Sequence, residues 1–176
     1  ALETQQFAEA FLCRAEQPVI VDADALYAVA ARGMEPRDCP GHWIMTPHVG
    51  EFSRLSGYSA EEIEKNRIEA AREYAQKHQV VLVLKGVPTV TALPDGQAWL
   101  NPTGNPGMAA GGMGDTLTGI AAALAGQGME LPRAAAAAVY LHGLAADLLA
   151  RETPVGFTAS QVAEMIPQAR YKVSQQ

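Results

Sequence analysis

The chain of 176 residues and 18.6 kDa is 48% hydrophobic and 18% charged. This excludes a disordered polymer and allows a packed core without disulfides or structural metal. Its formal net charge is −6, from 13 basic and 19 acidic residues with no block of Lys and Arg. That argues against nucleic acid and anionic membranes as partners, but leaves small phosphate ligands open, because backbone amides can hold them.

In chain order, residues 2–15 read as a helix whose Glu3 and lack of a basic stretch do not suit a signal peptide. PVIVDAD (18–24) reads as a buried strand running into a loop, and ALYAVAARG (25–33) as a short helix closed by Gly33. Cys39 and His42 form a lone C-x-x-H with no second pair at zinc spacing. With Cys13 as the other thiol, this fits two ordinary cysteines of a reducing, cytoplasmic compartment. HWIMTP (42–47) is a second strand, stopped at Pro47, and His48 and Glu51 could open a surface helix behind it. A long helix over about 60–78 is predicted, with Ser59 as N-cap and Glu62 at the capping-box position. VVLVLKG (80–86) is a strand, and VPTVTALP and QAWLNP flank Asp95-Gly96 as a hairpin. Helices follow over about 114–126, 131–151 and 159–173; the Ala-rich one suits a packed helix better than a membrane span. The alternation predicts one α/β domain over 1–176, layered around a mostly parallel sheet.

The anomaly is Asn101–Gly128, which holds eight of the 16 glycines and a single charged residue, Asp115. Glycines let a backbone approach a ligand closely. Gly111, Gly112 and Gly114 stand at the start of a helix, whose free N–H groups suit a phosphate. The segment is not a P-loop, since no Gly-Lys-Ser/Thr follows, nor a dinucleotide fingerprint, since Leu117 stands at the last glycine position. Asp115 is either a first-turn acid favoured by the helix dipole or a general base beside a phosphate; spacing leaves both open. Four polar clusters fall at strand ends, where α/β sheets place ligands. They are Asp22 with Asp24, the run from Thr46 through His48 to Glu51, Lys85-Gly86 with Thr89, and Asn101 with Asn105.

VDADAL (21–26), TPHVGEF (46–52), LKGVPT (84–89) and NPGMAAGGMGDTLTG (105–119) resemble, in this order, the ADP- or ATP-dependent NAD(P)H-hydrate dehydratases, a family of ribokinase-like fold. The resemblance runs over about 18–128 and, more loosely, through the C-terminal helices. It implies a three-layer α/β/α domain and a lyase reaction. Hydrated NADH or NADPH (the 6S epimer) is phosphorylated on its C6 hydroxyl by ADP or ATP with Mg2+, and phosphate then leaves. It implies that Asp115 is the catalytic base and contacts substrate together with His48. Gly112, Met113 and Gly114 would form the anion hole. Lys85, Gly86, Val87, Pro88, Thr89 and Gly114 would bind the nucleotide. Glu51 would meet the metal through water, with Asp22 a weaker candidate for the same role. A fused or separate epimerase and a homotetramer are further implications. Departures from the family pattern are Tyr27 for an asparagine, Val49 for a proline, and Pro88 where a small residue is usual. The family's upstream glycine-serine and Gly-Pro-Gly-Leu-Gly segments have no counterpart, so the fold is expected to lack its N-terminal strands. A ribokinase-like kinase of a small vitamin-precursor alcohol, or an incomplete nucleotide-binding fragment, is the alternative.

Overall fold

The computed structural model describes residues 2–175. Helix α1 (Leu2–Leu12) lies against α2 (Ala23–Arg32), which follows strand β1 (Val19–Val21) directly. The loop expected after PVIV is absent: Asp22 is already the N-cap residue of α2, with extended φ −139° and ψ 165°. Gly33 closes α2 in the left-handed conformation, as its position predicts. After β2 (Trp43–Met45) comes α3 (Val49–Ser56), opened by a reciprocal cap between His48 and Glu51.

The long helix expected over 60–78 is two helices, α4 (Ala60–Lys65) and α5 (Arg67–His78). Its start is as predicted: the Glu62 amide donates to Ser59 Oγ at 3.2 Å, and the Ser59 amide to Glu62 Oε2 at 2.8 Å. The break falls at Asn66, with φ −133° and ψ 39°. A helical period continues on both sides of such a kink, so periodicity does not reveal it. The kink accompanies burial of Arg67, which is only 8% exposed.

Strands β3 (Val81–Leu84), β4 (Val90–Ala92) and β5 (Ala98–Leu100) complete a five-stranded sheet in the order β1-β2-β3-β4-β5. The β1/β2 and β2/β3 pairs are parallel, and β3/β4 and β4/β5 antiparallel, so the hairpin makes the described sheet mixed. The hairpin turns at Gly96, φ 87°, as the Asp-Gly pair predicts. Leu82 and Leu84 pack with Val21, Met45, Phe52 and Tyr74 on one face, against α2–α5. Val81 and Val83 pack with Ile44, Leu117, Ala134 and Ala138 on the other, against α6 (Met113–Gly126) and α7 (Leu131–Leu149). Burial on both faces explains why β3 reads as an unbroken apolar run rather than an alternating one. A third cluster, with Met113, Leu141, Phe157 and Val162, joins α6 and α7 to α8 (Ala159–Val173). No helix among the described residues is long and apolar enough to cross a membrane.

Candidate active site

The three parallel strands end side by side, and the residues after them meet. The β2/β3 ladder continues one step beyond both strands, through a parallel bridge between His48 and Lys85. There the Lys85 amide donates to the Pro47 carbonyl at 2.8 Å. Lys85 Nζ lies 3.0 Å from Asp22 Oδ1 and 3.8 Å from Glu51 Oε2. These side chains are only 22%, 11% and 14% exposed, so their attractions are less screened than those of surface pairs. Glu51 Oε2 also accepts from the His48 amide at 2.8 Å, and His48 Nδ1 accepts from the Glu51 amide at 3.2 Å. The imidazole therefore caps α3 in the tautomer that carries its proton on Nε2.

The glycine loop arrives over this cluster from the opposite layer. Gly112 is the N-cap residue of α6 at φ 84°, where a side chain would be strained. The first helical bond is from the Thr116 amide to the Gly112 carbonyl at 3.0 Å. Among the described residues, the amides of Met113, Gly114 and Asp115 have no acceptor, and they form the positive end of α6. A Cβ on Gly114 would lie 3.4 Å from Asp22 Oδ2 and 3.5 Å from Lys85 Nζ, so the ion pair lies directly against this backbone. Asp115 follows, exposed and without a hydrogen-bond or ion-pair partner among the described residues. An anion at this helix end would meet free amides and a lysine, with a carboxylate available as proton acceptor.

Residues 85–89 form the second wall. Thr89 Oγ1 donates to the Gly86 carbonyl at 3.0 Å, and the Gly86 amide approaches the same hydroxyl at 3.3 Å. Val87, 97% exposed, stands out at the tip, and its peptide bond to Pro88 is cis. Behind the turn, Arg67 Nη1 donates to the carbonyls of Leu84 at 3.5 Å and Lys85 at 3.2 Å, while Nη2 pairs with Glu64 at 2.7 Å.

Three of the four polar clusters thus converge with the glycine loop. Asp24 does not join them; it is exposed in the first turn of α2. Asn101 and Asn105 instead shape the loop itself. Asn101 Nδ2 donates to the Thr103 carbonyl at 2.8 Å, and Asn105 Nδ2 to Asp147 Oδ1 at 2.8 Å. Asp147 also takes the Gly104 amide at 3.0 Å. Gly143 lets this loop cross α7: a Cβ there would meet the Gly104 nitrogen at 2.8 Å. Beside it, buried His142 has no partner for Nε2 among the described residues, and burial lowers its pKa to about 4.

Sequence reasoning missed Arg67, Asp147 and Thr118. Thr118 Oγ1 donates to Asp22 Oδ2 at 3.0 Å. The available signal for Thr118 was its place four residues after Gly114, on the same helix face. Arg67 and Asp147 carried no signal, being tied to carbonyls and amides distant in sequence.

Among the described residues, no group of three or more His, Cys, Asp or Glu could hold a metal. Cys39 remains a protonated thiol, its pKa raised to about 11 by burial and by the neighbouring Cys13. A hollow of about 480 Å³ opens between residues 106–111 and residues 155–158, beside the glycine loop. A larger apolar groove of about 820 Å³, lined by Trp99, Tyr140 and Arg170 among others, includes none of the residues around Lys85.

Residues 2–168 match the family model described as NAD(P)H-hydrate dehydratase. The bifunctional NAD(P)H-hydrate repair enzyme Nnr of Moorella thermoacetica is 50% identical over 149 residues, which are 85% of this chain and 28% of that protein. The ADP/ATP-dependent NAD(P)H-hydrate dehydratase of Bacillus subtilis, co-crystallized with ATP/Mg2+ and soaked with CoA, superimposes with a TM-score of 0.88 at 40% identity, over 98% of this chain and 62% of that one. A ribokinase-like superfamily protein of Enterococcus faecalis follows at a TM-score of 0.80 and 28% identity, over 95% of this chain and 58% of that one. The chain thus has the ribokinase-like α/β fold and spans less than two thirds of each of these proteins.

Proposed function

The chain belongs to the NAD(P)H-hydrate dehydratase family, and from that premise we propose that it carries the nucleotide and acid–base half of a dehydratase restoring NADH or NADPH from their (6S)-hydrates. One observation supports the reading: Lys85, held by Asp22 and Glu51, lies against Gly114, whose amide is one of the free amides at the start of α6. Residues 1–176 are read as one ribokinase-like domain.

ADP or ATP supplies a phosphoryl group to the C6 hydroxyl of the hydrated ring. Asp115 accepts the hydroxyl proton as the oxygen attacks. It needs only to be ionised and within reach, because phosphoryl transfer depends on positioning and electrostatics more than on a strong base. The amides of Gly112, Met113 and Gly114 serve as the anion hole, and Lys85 offsets charge on the transferring group. Phosphate then leaves C6 while a proton leaves C5, and the ring double bond re-forms. Phosphate departs far more readily than hydroxide, which gives the nucleotide its chemical purpose. Gly86, Val87, Pro88 and Thr89 form the turn along which the nucleotide lies, and His48 faces the hydrated ring.

Magnesium fits this donor set only in one manner. Asp22 and Glu51 already face Lys85, and no three-ligand cluster exists among the described residues. The ion would be held mainly by phosphate oxygens and water, with Glu51 and then Asp22 as outer partners, which suits its reluctance to dehydrate. When bound, it neutralises phosphate charge that one lysine cannot. We place the reaction in the cytoplasm, in a homotetramer, with the epimerase that interconverts the two hydrates either fused or separate.

The test incubates the protein with hydrated NADH, Mg2+ and ADP or ATP, and follows the return of NADH absorbance. Recovery dependent on nucleotide is expected. No recovery, together with phosphorylation of a vitamin-precursor alcohol, would replace this reading with a small-alcohol kinase; nucleotide binding without any turnover would leave a binding fragment.

A further inference from the structure

The lysine at the phosphate end of the site does not hold its own position. Its stem leaves the sheet after β3, and its ammonium must reach across β2 to the end of β1, where Asp22 Oδ1 takes it at 3.0 Å. A single carboxylate contact leaves a flexible four-carbon side chain free to rotate about it. What orients that carboxylate is a second contact from another layer: Thr118 Oγ1 on α6 donates to Asp22 Oδ2 at 3.0 Å. Asp22 gains no such support from its own helix, since its side chain makes no capping bond to α2.

We propose that Thr118 and Asp22 are positioning residues that fix the Lys85 ammonium against the amide end of α6. The physical logic is a relay of three hydrogen-bonding groups from two layers of the fold. Thr118 lies one turn after Gly114, so the helix that presents the free amides also sets the carboxylate that sets the lysine. Cation and amides are thereby registered to one another through α6 and the Asp22 carboxylate at the end of β1. Glu51, at 3.8 Å from Nζ, limits the lysine from the α3 side but is the looser contact. The inference rests on the assignment of this helix end to nucleotide phosphate.

The experiment is calorimetric titration with Mg-ADP and Mg-ATP of the unsubstituted protein, Thr118→Val and Thr118→Ser, with thermal unfolding of each. Valine keeps the volume and branching but cannot donate; serine keeps the hydroxyl. The expected result is a Kd raised about 3- to 20-fold in Thr118→Val, the scale of a weakened hydrogen bond to a charged group. Thr118→Ser should bind within about twofold of the unsubstituted protein and melt alike, and Thr118→Val should still unfold cooperatively, with a melting temperature lowered by no more than about 10 °C for the lost hydrogen bond. Equal affinity in Thr118→Val, or failure of serine to restore it, overturns the relay while leaving the nucleotide site standing. Absence of nucleotide binding by the unsubstituted protein overturns the assignment of the site, and the relay with it.

Discussion

Replacing Gly114 by alanine should separate stability from binding, because the structure gives the added methyl group room but denies it to a ligand. The new Cβ would sit 3.4 Å from Asp22 Oδ2 and 3.5 Å from Lys85 Nζ, which is ordinary van der Waals contact, so neither side chain has to move. Alanine is favoured over glycine in a helix by up to about 1 kcal/mol, less in the first turn. For a domain of this size that corresponds to a melting temperature unchanged or raised by up to about 4 °C. A phosphate oxygen shared between the free amides of α6 and the Lys85 ammonium would approach the space beside Lys85 Nζ into which the methyl group projects. Displacing it forfeits one or two charge-assisted hydrogen bonds, roughly 1.5–3 kcal/mol each, so affinity for Mg-ADP or Mg-ATP should fall at least tenfold. Differential scanning calorimetry and isothermal titration calorimetry read the two quantities on the same preparation. Unchanged affinity would refute the placement of phosphate at this helix end, and a melting temperature lowered by several degrees would refute the steric argument.

Three further outcomes are expected. Asp115→Ala should lower the rate of NADH recovery by about 10²- to 10⁴-fold while leaving nucleotide affinity within a few-fold, because the carboxylate has no hydrogen-bond or ion-pair partner among the described residues; parallel loss of both would contradict its role as base. Gly86→Ala should destabilise the fold by roughly 2–4 kcal/mol in denaturant unfolding, because its Cβ would lie 2.7 Å from Arg67 Cζ and would drive a buried guanidinium off the Leu84 and Lys85 carbonyls. His142, lowered to about 4 by burial, contributes stability that is complete above the unfolded value near 6.5. That stability is lost as pH falls toward 4, because the unfolded chain binds the proton first; the full loss is roughly 3 kcal/mol. His142→Leu should flatten this part of the stability–pH curve, and an unaltered slope would show that another group titrates there.

Much of the fold was legible because its signals are local. Gly33, Ser59 with Glu62, and Asp95-Gly96 each terminate, start or reverse the chain through bonds within a few residues, and all three act as expected. The unbroken apolar run of β3 likewise follows from burial on both faces. Helix α3 opens at His48 and Glu51, as the residues after β2 suggested. The kink at Asn66 was less legible, because it accompanies burial of Arg67 against carbonyls 17 and 18 residues away.

The site divides in the same way. Local patterns in the chain name the chemistry present: a glycine-lined helix start, one acid directly after it, and a lysine and carboxylates at strand ends. Backbone conformation and helix dipoles act over a few residues, so the spacing within NPGMAAGGMGD suffices to write them. Which of those groups meet depends on how the layers pack. Asp22, Lys85 and Thr118 are separated by 63 and 96 residues in pairs that touch at 3.0 Å. Asn101 and Asn105, equally polar and equally placed at a strand end, brace the loop instead. The difference comes from parallel strand order and from the layer in which α6 packs, and these are settled by long-range burial that no local pattern encodes.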